Sequence, residues 1–356
     1  MTDSLQSRTI DYLRFLMAFA VVLLHASSAG ANGDYPVYST LCILLAQGIC
    51  RVAVPCFFLI SGFLFFKGLE RWDWQAWTRK VGRRVHTLLI PFLLWNLLAA
   101  ALIYGYNWLR VRFGSADAAS LTELTATWGS CGWRIFWNCQ EGMPLDYPLW
   151  FIRDLILLTA ASPLVYALCR YLKGFGLLLL AVLLFGFLHK RVDLFFYVLG
   201  AFLSLSGRDL SALAGRVKWP AVGLTVVLLC LLPMSFRHRP ELYFYLLNLM
   251  KFSGCAAAFA LVGAGLDKGL LHNRPFLTRS SFFIFAAHGI LVLDDFARYF
   301  MLHVTSSRGE LYYCSDIFVR TLLTVGFCLL LFRLGERFLP GVTDVLTGAR
   351  AKKRLV

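Results

Sequence analysis

Residues 8–29 read RTIDYLRFLMAFAVVLLHASSA, and this stretch decides the fold class. From Ile10 to about Ala29 it is dominated by Leu, Phe, Ala and Val, with no period-2 alternation of the kind a barrel strand shows. About 20 such residues suffice to cross the hydrocarbon core as a helix. Asn32, Gly33 and Asp34 follow instead of a small-residue cleavage site, so the run is expected to be a first span and not a cleavable signal peptide.

The same texture continues outward along the chain. Of 356 residues, 59% are hydrophobic and 15% are Asp, Glu, Lys or Arg, against about 25% charged in soluble domains. The mean hydropathy is +0.67. These values exclude an ordinary soluble enzyme, a disordered tail and a coiled coil. They predict an all-α polytopic membrane protein with about ten transmembrane helices. The expected spans are roughly 10–30, 43–66, 88–106, 149–169, 174–189, 192–206, 219–236, 242–266, 281–303 and 315–338, in one integral-membrane domain over 1–356.

The net charge of +15 would suggest nucleic acid in a soluble protein. Here the basic residues sit in short loops, so orientation explains them better and no nucleic-acid partner is expected. Most of the 35 Lys and Arg residues fall before the first span, in a basic loop at about 67–87, at 170–173, around 207–218 and 267–280, at 333–337 and in a basic tail at 340–356. Fewer fall at 107–148, 190–191, 237–239 and 308. The bias predicts both termini on the cytoplasmic side.

The long outer loop, about 107–148, carries Trp108, Trp128, Trp133 and Trp137, with Tyr147 and Trp150 at its end. These rings suit an interfacial aromatic belt or a platform on which a sugar stacks. Most of the ten cysteines lie in apolar runs and read as small packing residues. Cys131 and Cys139 lie in the long loop and can pair if it faces an oxidising compartment. No His, Cys, Asp and Glu cluster has metal-ligand spacing, so no metal is expected.

Charged residues inside spans are costly and usually functional. They are Arg14, Arg51, Arg153, Asp154, Lys251, Asp294, Asp295, Arg298 and Arg320. Arg14 and His25 are eleven residues apart, close to three helical turns, so they share a face about 16 Å apart along the axis. One helix thus offers a permanent cation low down and a titratable base higher up. Guanidinium suits phosphate or carboxylate, and neutral imidazole suits abstraction of a hydroxyl proton. By depth, His25, Arg51 and Arg153 fall in the outer half, and Arg14, Ser61 and His288 in the inner half. Arg79, Lys80, Arg83 and Arg84 form a cationic patch suited to anionic lipid or to the phosphates of a cytosolic ligand.

Five segments together resemble the acyltransferase-3 family of bacterial membrane proteins. RTIDYLRFLMAFAVVLLH carries the family's Arg, ten residues, His pattern at Arg14 and His25. CFFLISGFLFF (56–66) is similar to its Phe-Phe-x-x-Ser-Gly-Phe pattern. TRKVGRRVHTLLIPFLLW (78–95), PLWFIRDLI (148–156) and SSFFIFAAHGILV (280–292) are similar to later segments, the last carrying His288. The chain departs from the family at Phe285-Ala286-Ala287 and shows no appended SGNH-type hydrolase domain.

The resemblance implies a fold of about ten helices in the bacterial inner membrane. It implies transfer of an acyl group, most often acetyl, from acyl-CoA to a hydroxyl of a cell-surface or lipid-linked glycan. His25 would be the catalytic residue, Arg14 its partner in donor handling, and Arg51 or Arg153 the stabiliser of the oxyanion. Ser61, Arg79, Lys80, Arg83, Arg84 and His288 would line the donor path. No permanently bound cofactor is implied, acetyl-CoA or another acyl-CoA being a donor substrate. Direct transfer and an acyl-His25 intermediate both fit. The rival expectations are a transporter or flippase of a polyprenyl-linked glycan, and the membrane part of a sensor or scaffold.

Overall fold

A computed structural model describes residues 4–27, 35–113, 132–137, 142–189, 191–236, 239–290 and 309–348. Among them every regular element is helical and none is a strand. Seven helical runs are long and apolar enough to cross a membrane: Leu5–Ala26, Pro36–Phe66, Trp74–Arg112, Ser162–Leu188, Lys218–Phe236, Pro240–Asp267 and Glu310–Phe338. Leu194–Leu205 is a shorter apolar helix.

The first helix, α1 (Leu5–Ala26), is capped by the Ser4 side chain, which accepts the Ser7 amide. It packs against the helices Ala53–Phe66, Pro240–Asp267, Pro275–Ala287 and Glu310–Phe338. The motif-bearing helix is therefore surrounded on several sides, and its apolar positions Leu13, Ala18 and Val22 are fully buried. At its far end, the Ala26 carbonyl accepts a hydrogen bond from Arg320, whose guanidinium also pairs with Asp316 at 2.8 Å. Arg320 is thus spent on holding the helix Glu310–Phe338 to α1.

Ala53–Phe66 and Leu194–Leu205 approach so closely that side chains are excluded between them. A Cβ at Gly62 would run into the Tyr197 carbonyl oxygen, and one at Gly200 into the Leu59 carbonyl oxygen. Small residues at such crossings let two backbones meet within a bilayer.

Three expected boundaries need correction. The basic stretch 67–87 is a loop only as far as Asp73. Asp73 accepts the amides of Gln75 and Ala76, starting a helix at Trp74 that continues through 85–89 into Ile90–Arg112. That helix also runs past the expected start of the outer loop at 107. The span drawn at 149–169 breaks at Ala161, and a new helix starts at Ser162 with Pro163 in its first turn, where a missing N–H costs nothing. Hydropathy does not register that break. Cys131, Cys139, Asp294, Asp295 and Arg298 lie outside the described residues.

Candidate active site

Two features of α1 organise the site, one at each end of its polar stripe. Near the start, the Arg14 Nη1 donates to Asp11 Oδ1 at 2.9 Å. This i, i+3 pair neutralises the guanidinium without immobilising its remaining N–H groups. Arg14 lines a cavity of about 200 Å³ with Ser61, Arg84, Thr87, Ser281 and Phe285 among its neighbours. The walls are aromatic and aliphatic, and the polar groups are two guanidiniums and short hydroxyls.

A second cavity of about 400 Å³ adjoins the first. Lys67, Lys80, Arg83 and Arg84 line it, and both cavities share Leu64, Arg84 and Thr87. A basic mouth therefore leads to the Arg14 chamber with Arg84 at the junction. Not all four expected cations are equally available. Lys80 Nζ donates to the carbonyls of Phe65 and Lys67 at 2.6 and 3.1 Å, satisfying the end of the helix Ala53–Phe66. Arg79 is exposed and stands 3.9 Å from Asp73. Arg83 and Arg84 remain as the cations facing the cavities.

At the other end of α1, His25 is half-buried between two rings. Tyr147 meets it edge-on at 5.0 Å between centroids, and His288 stacks on it at 5.4 Å with planes 28° apart. His288 is fully buried. Its Nδ1 lies 3.1 Å from the Ile284 carbonyl. A carbonyl only accepts, so Nδ1 carries the proton, and Nε2 of the neutral ring keeps a lone pair. That Nε2 is buried without a partner among the described residues.

His288 was expected in the inner half with Arg14 and Ser61. It sits instead beside His25. Its helix begins at Pro275, before the apolar run that hydropathy marks from about 281, so Thr278, Arg279 and Ser280 are already helical. The extra residues add about 9 Å, so His288 stands about 20 Å along the axis from Pro275. Phe285 joins the two ends of the site: it lines the Arg14 chamber, and its ring lies 6.0 Å from that of His288.

Arg51 and Arg153 are placed differently. Arg51 Nε and Nη2 both donate to Gln47 Oε1, at 3.1 and 2.5 Å, in a short helical turn packed against α1. Arg153 is turned to Asp154 Oδ1, with Nε at 3.0 and Nη2 at 2.7 Å, and its guanidinium lies over the Trp137 ring at 4.3 Å. Its Nε and Nη2 are committed to Asp154 and its flat face to Trp137.

Sequence reasoning missed Asp146. Its carboxylate is buried, and neither oxygen has a partner among the described residues. A Cβ on Gly289, the residue after His288, would stand 3.0 Å from Asp146 Oδ1. The backbone N–H of Asp146 donates to Asn96 Oδ1 at 3.0 Å. Burial pushes the Asp146 carboxyl well above the usual carboxylate range, favouring its protonated form. The clue in the sequence is Asp146-Tyr147-Pro148 at the mouth of a span, where position along the chain reads as the end of a loop. Asp11 was readable from its i, i+3 spacing to Arg14.

Comparison with known proteins adds the family. The acyltransferase-3 family model, described as an acyltransferase domain, matches residues 8–333. The chain is 26% identical over 365 residues to the succinoglycan biosynthesis protein ExoH of Rhizobium meliloti (strain 1021), covering 98% of this chain and 94% of that protein. No solved structure matches. With its match over nearly the whole chain, this helical membrane protein belongs to the acyltransferase-3 family.

Proposed function

We propose that the protein transfers an acyl group, most simply acetyl, from acyl-CoA to a hydroxyl of a cell-surface or lipid-linked glycan. The carrying observation is the pair of joined cavities, basic at the mouth and polar at Arg14, that ends one aromatic ring from the His25–His288 pair. We place both termini on the cytoplasmic side of the bacterial inner membrane, so the basic mouth faces the compartment that holds CoA. The name of the relative ExoH supports a polysaccharide as the acceptor class.

The mechanism follows from the groups present. Arg83 and Arg84 bind the donor's phosphates by charge-assisted hydrogen bonds. Arg14 receives the amide-bearing arm, and the thioester reaches His25 past Phe285. His25 takes the proton of the acceptor hydroxyl as its oxygen attacks the carbonyl. The tetrahedral intermediate then expels the thiolate, which recovers the proton from His25. His288, with its Nδ1–H fixed by Ile284, supports the His25 ring from one face.

Donor binding tests the reading. Protein in nanodiscs is titrated with acetyl-CoA, and thiol release is followed. Arg84→Ala is expected to weaken acetyl-CoA binding about tenfold or more, the scale of a lost charge-assisted hydrogen bond. Undiminished affinity in that variant, or no affinity in the wild type, overturns the donor path and favours the glycan-transporter reading.

A further inference from the structure

A separate cavity of about 330 Å³ lies beyond Trp150, lined by Phe58, Met143, Asp154, Arg191 and Asp193 among others. The segment that builds it also builds the catalytic end: Tyr147 faces His25, and Trp150, one helical turn later, faces this cavity. The Asp154 carboxylate is shared. Oδ1 is taken by Arg153, and Oδ2 accepts from Arg191 Nη1 at 3.0 Å. Asp193 is paired with Lys251 at 2.8 Å. Among the described residues, three cations thus face two carboxylates.

The excess charge is directed. Arg153 is nine-tenths buried, and its Nη1 has no partner among the described residues. A Cβ on Gly142 would stand 3.9 Å from both Arg153 Nη1 and Arg191 Nη2, so two guanidinium edges converge on that spot. Arg191 is held at a φ of 55°, a left-handed conformation that non-glycine residues rarely adopt. Two indoles border the cations: Trp137 under Arg153 at 4.3 Å and Trp150 beside Arg191 at 5.9 Å. Aromatic faces with adjacent charged hydrogen-bonding groups suit a sugar ring, and converging guanidinium edges suit an oxyanion.

We propose that this cavity, together with the Arg153 edge and the Trp137 ring that border Arg191 at Gly142, is an acceptor subsite for an acidic saccharide, a sugar ring bearing a carboxylate or a phosphate. The anion meets Arg153 Nη1 and Arg191 Nη2, and the ring lies against Trp137 or Trp150. The inference rests on the glycan acyl-transfer reading and gives it a substrate class. It accounts for a charge excess and an orphaned guanidinium edge that the donor path does not use.

The test is saccharide binding to the protein in nanodiscs. The probes are a neutral disaccharide, the same disaccharide with a terminal uronate, the same with a 6-phosphate, and inorganic phosphate. The variants are Arg191→Gln and Trp137→Ala, both at half-exposed positions, with acyl-CoA thiol release as a separate readout. At least one acidic disaccharide is expected to bind about tenfold tighter than the neutral one, and which one identifies the anion. Arg191→Gln is expected to erase that preference, and Trp137→Ala to weaken disaccharides but not inorganic phosphate. Equal binding of neutral and acidic disaccharides, an unaltered preference in Arg191→Gln, or inorganic phosphate binding as tightly as the acidic disaccharide overturns the subsite. Absent thiol release with saccharide binding intact defeats the catalytic reading alone.

Discussion

His25 and His288 come from helices far apart in the chain, yet their rings stack at 5.4 Å. Stacking of two imidazoles disfavours a positive charge on both, since like charges so close in a low dielectric repel strongly. The pair is therefore best suited to hold one transferable proton. Asp146, buried beside Gly289, has the opposite history: its carboxyl keeps its proton because burial penalises the anion. The consequence for stability has a definite sign. Below the unfolded-chain carboxylate value of about 3.9, both states hold the proton. Above it the unfolded chain releases the proton and the folded one retains it, so stability falls as pH rises toward the folded value. Asp146→Asn removes this dependence. Thermal denaturation across pH should show the variant gaining on the wild type as pH rises from about 4; parallel profiles would mean that Asp146 is ionised in the folded protein.

At the scale of elements, the crossing of Ala53–Phe66 with Leu194–Leu205 is the tightest constraint. Gly62 and Gly200 each face the other helix's backbone, so Gly62→Ala must push the helices apart. A cost of about 1–3 kcal/mol is expected, read as a lower melting temperature and a lower yield of folded protein. Gly82, which faces open space, is the control that should tolerate Ala. The same motif was visible in the sequence as Ser61-Gly62, but only as a motif, because a glycine does not announce which backbone it meets. Helix starts were legible where a side chain caps them, and Asp73 is such a case that the hydropathy of its surroundings masked. The shift of His288 has the same origin. Thr278, Arg279 and Ser280 look like loop by hydropathy and are helical because their helix begins at Pro275.

Over the whole molecule, the fold class followed directly from composition, and the stripe Arg14–His25 followed from helical spacing. What spacing along one chain leaves open is lateral placement. Arg153 and His25 were expected at one depth, yet Arg153 is bound into a cluster with Asp154, Arg191 and Trp137. Arg14 and Ser61 were expected together and do line one cavity. The joined cavities set a direction across the molecule, from a basic mouth to a histidine pair at the opposite end of α1. The proposed mechanism places donor binding at Arg14 in the middle of α1 and proton transfer at His25 in its last turn. The most direct test is transfer of labelled acetyl from acetyl-CoA by purified His25→Ala protein, with acetyl-CoA binding measured on the same sample. The account predicts donor affinity close to wild type and transfer reduced by about 10²-fold or more. Transfer at the wild-type rate in His25→Ala would contradict it.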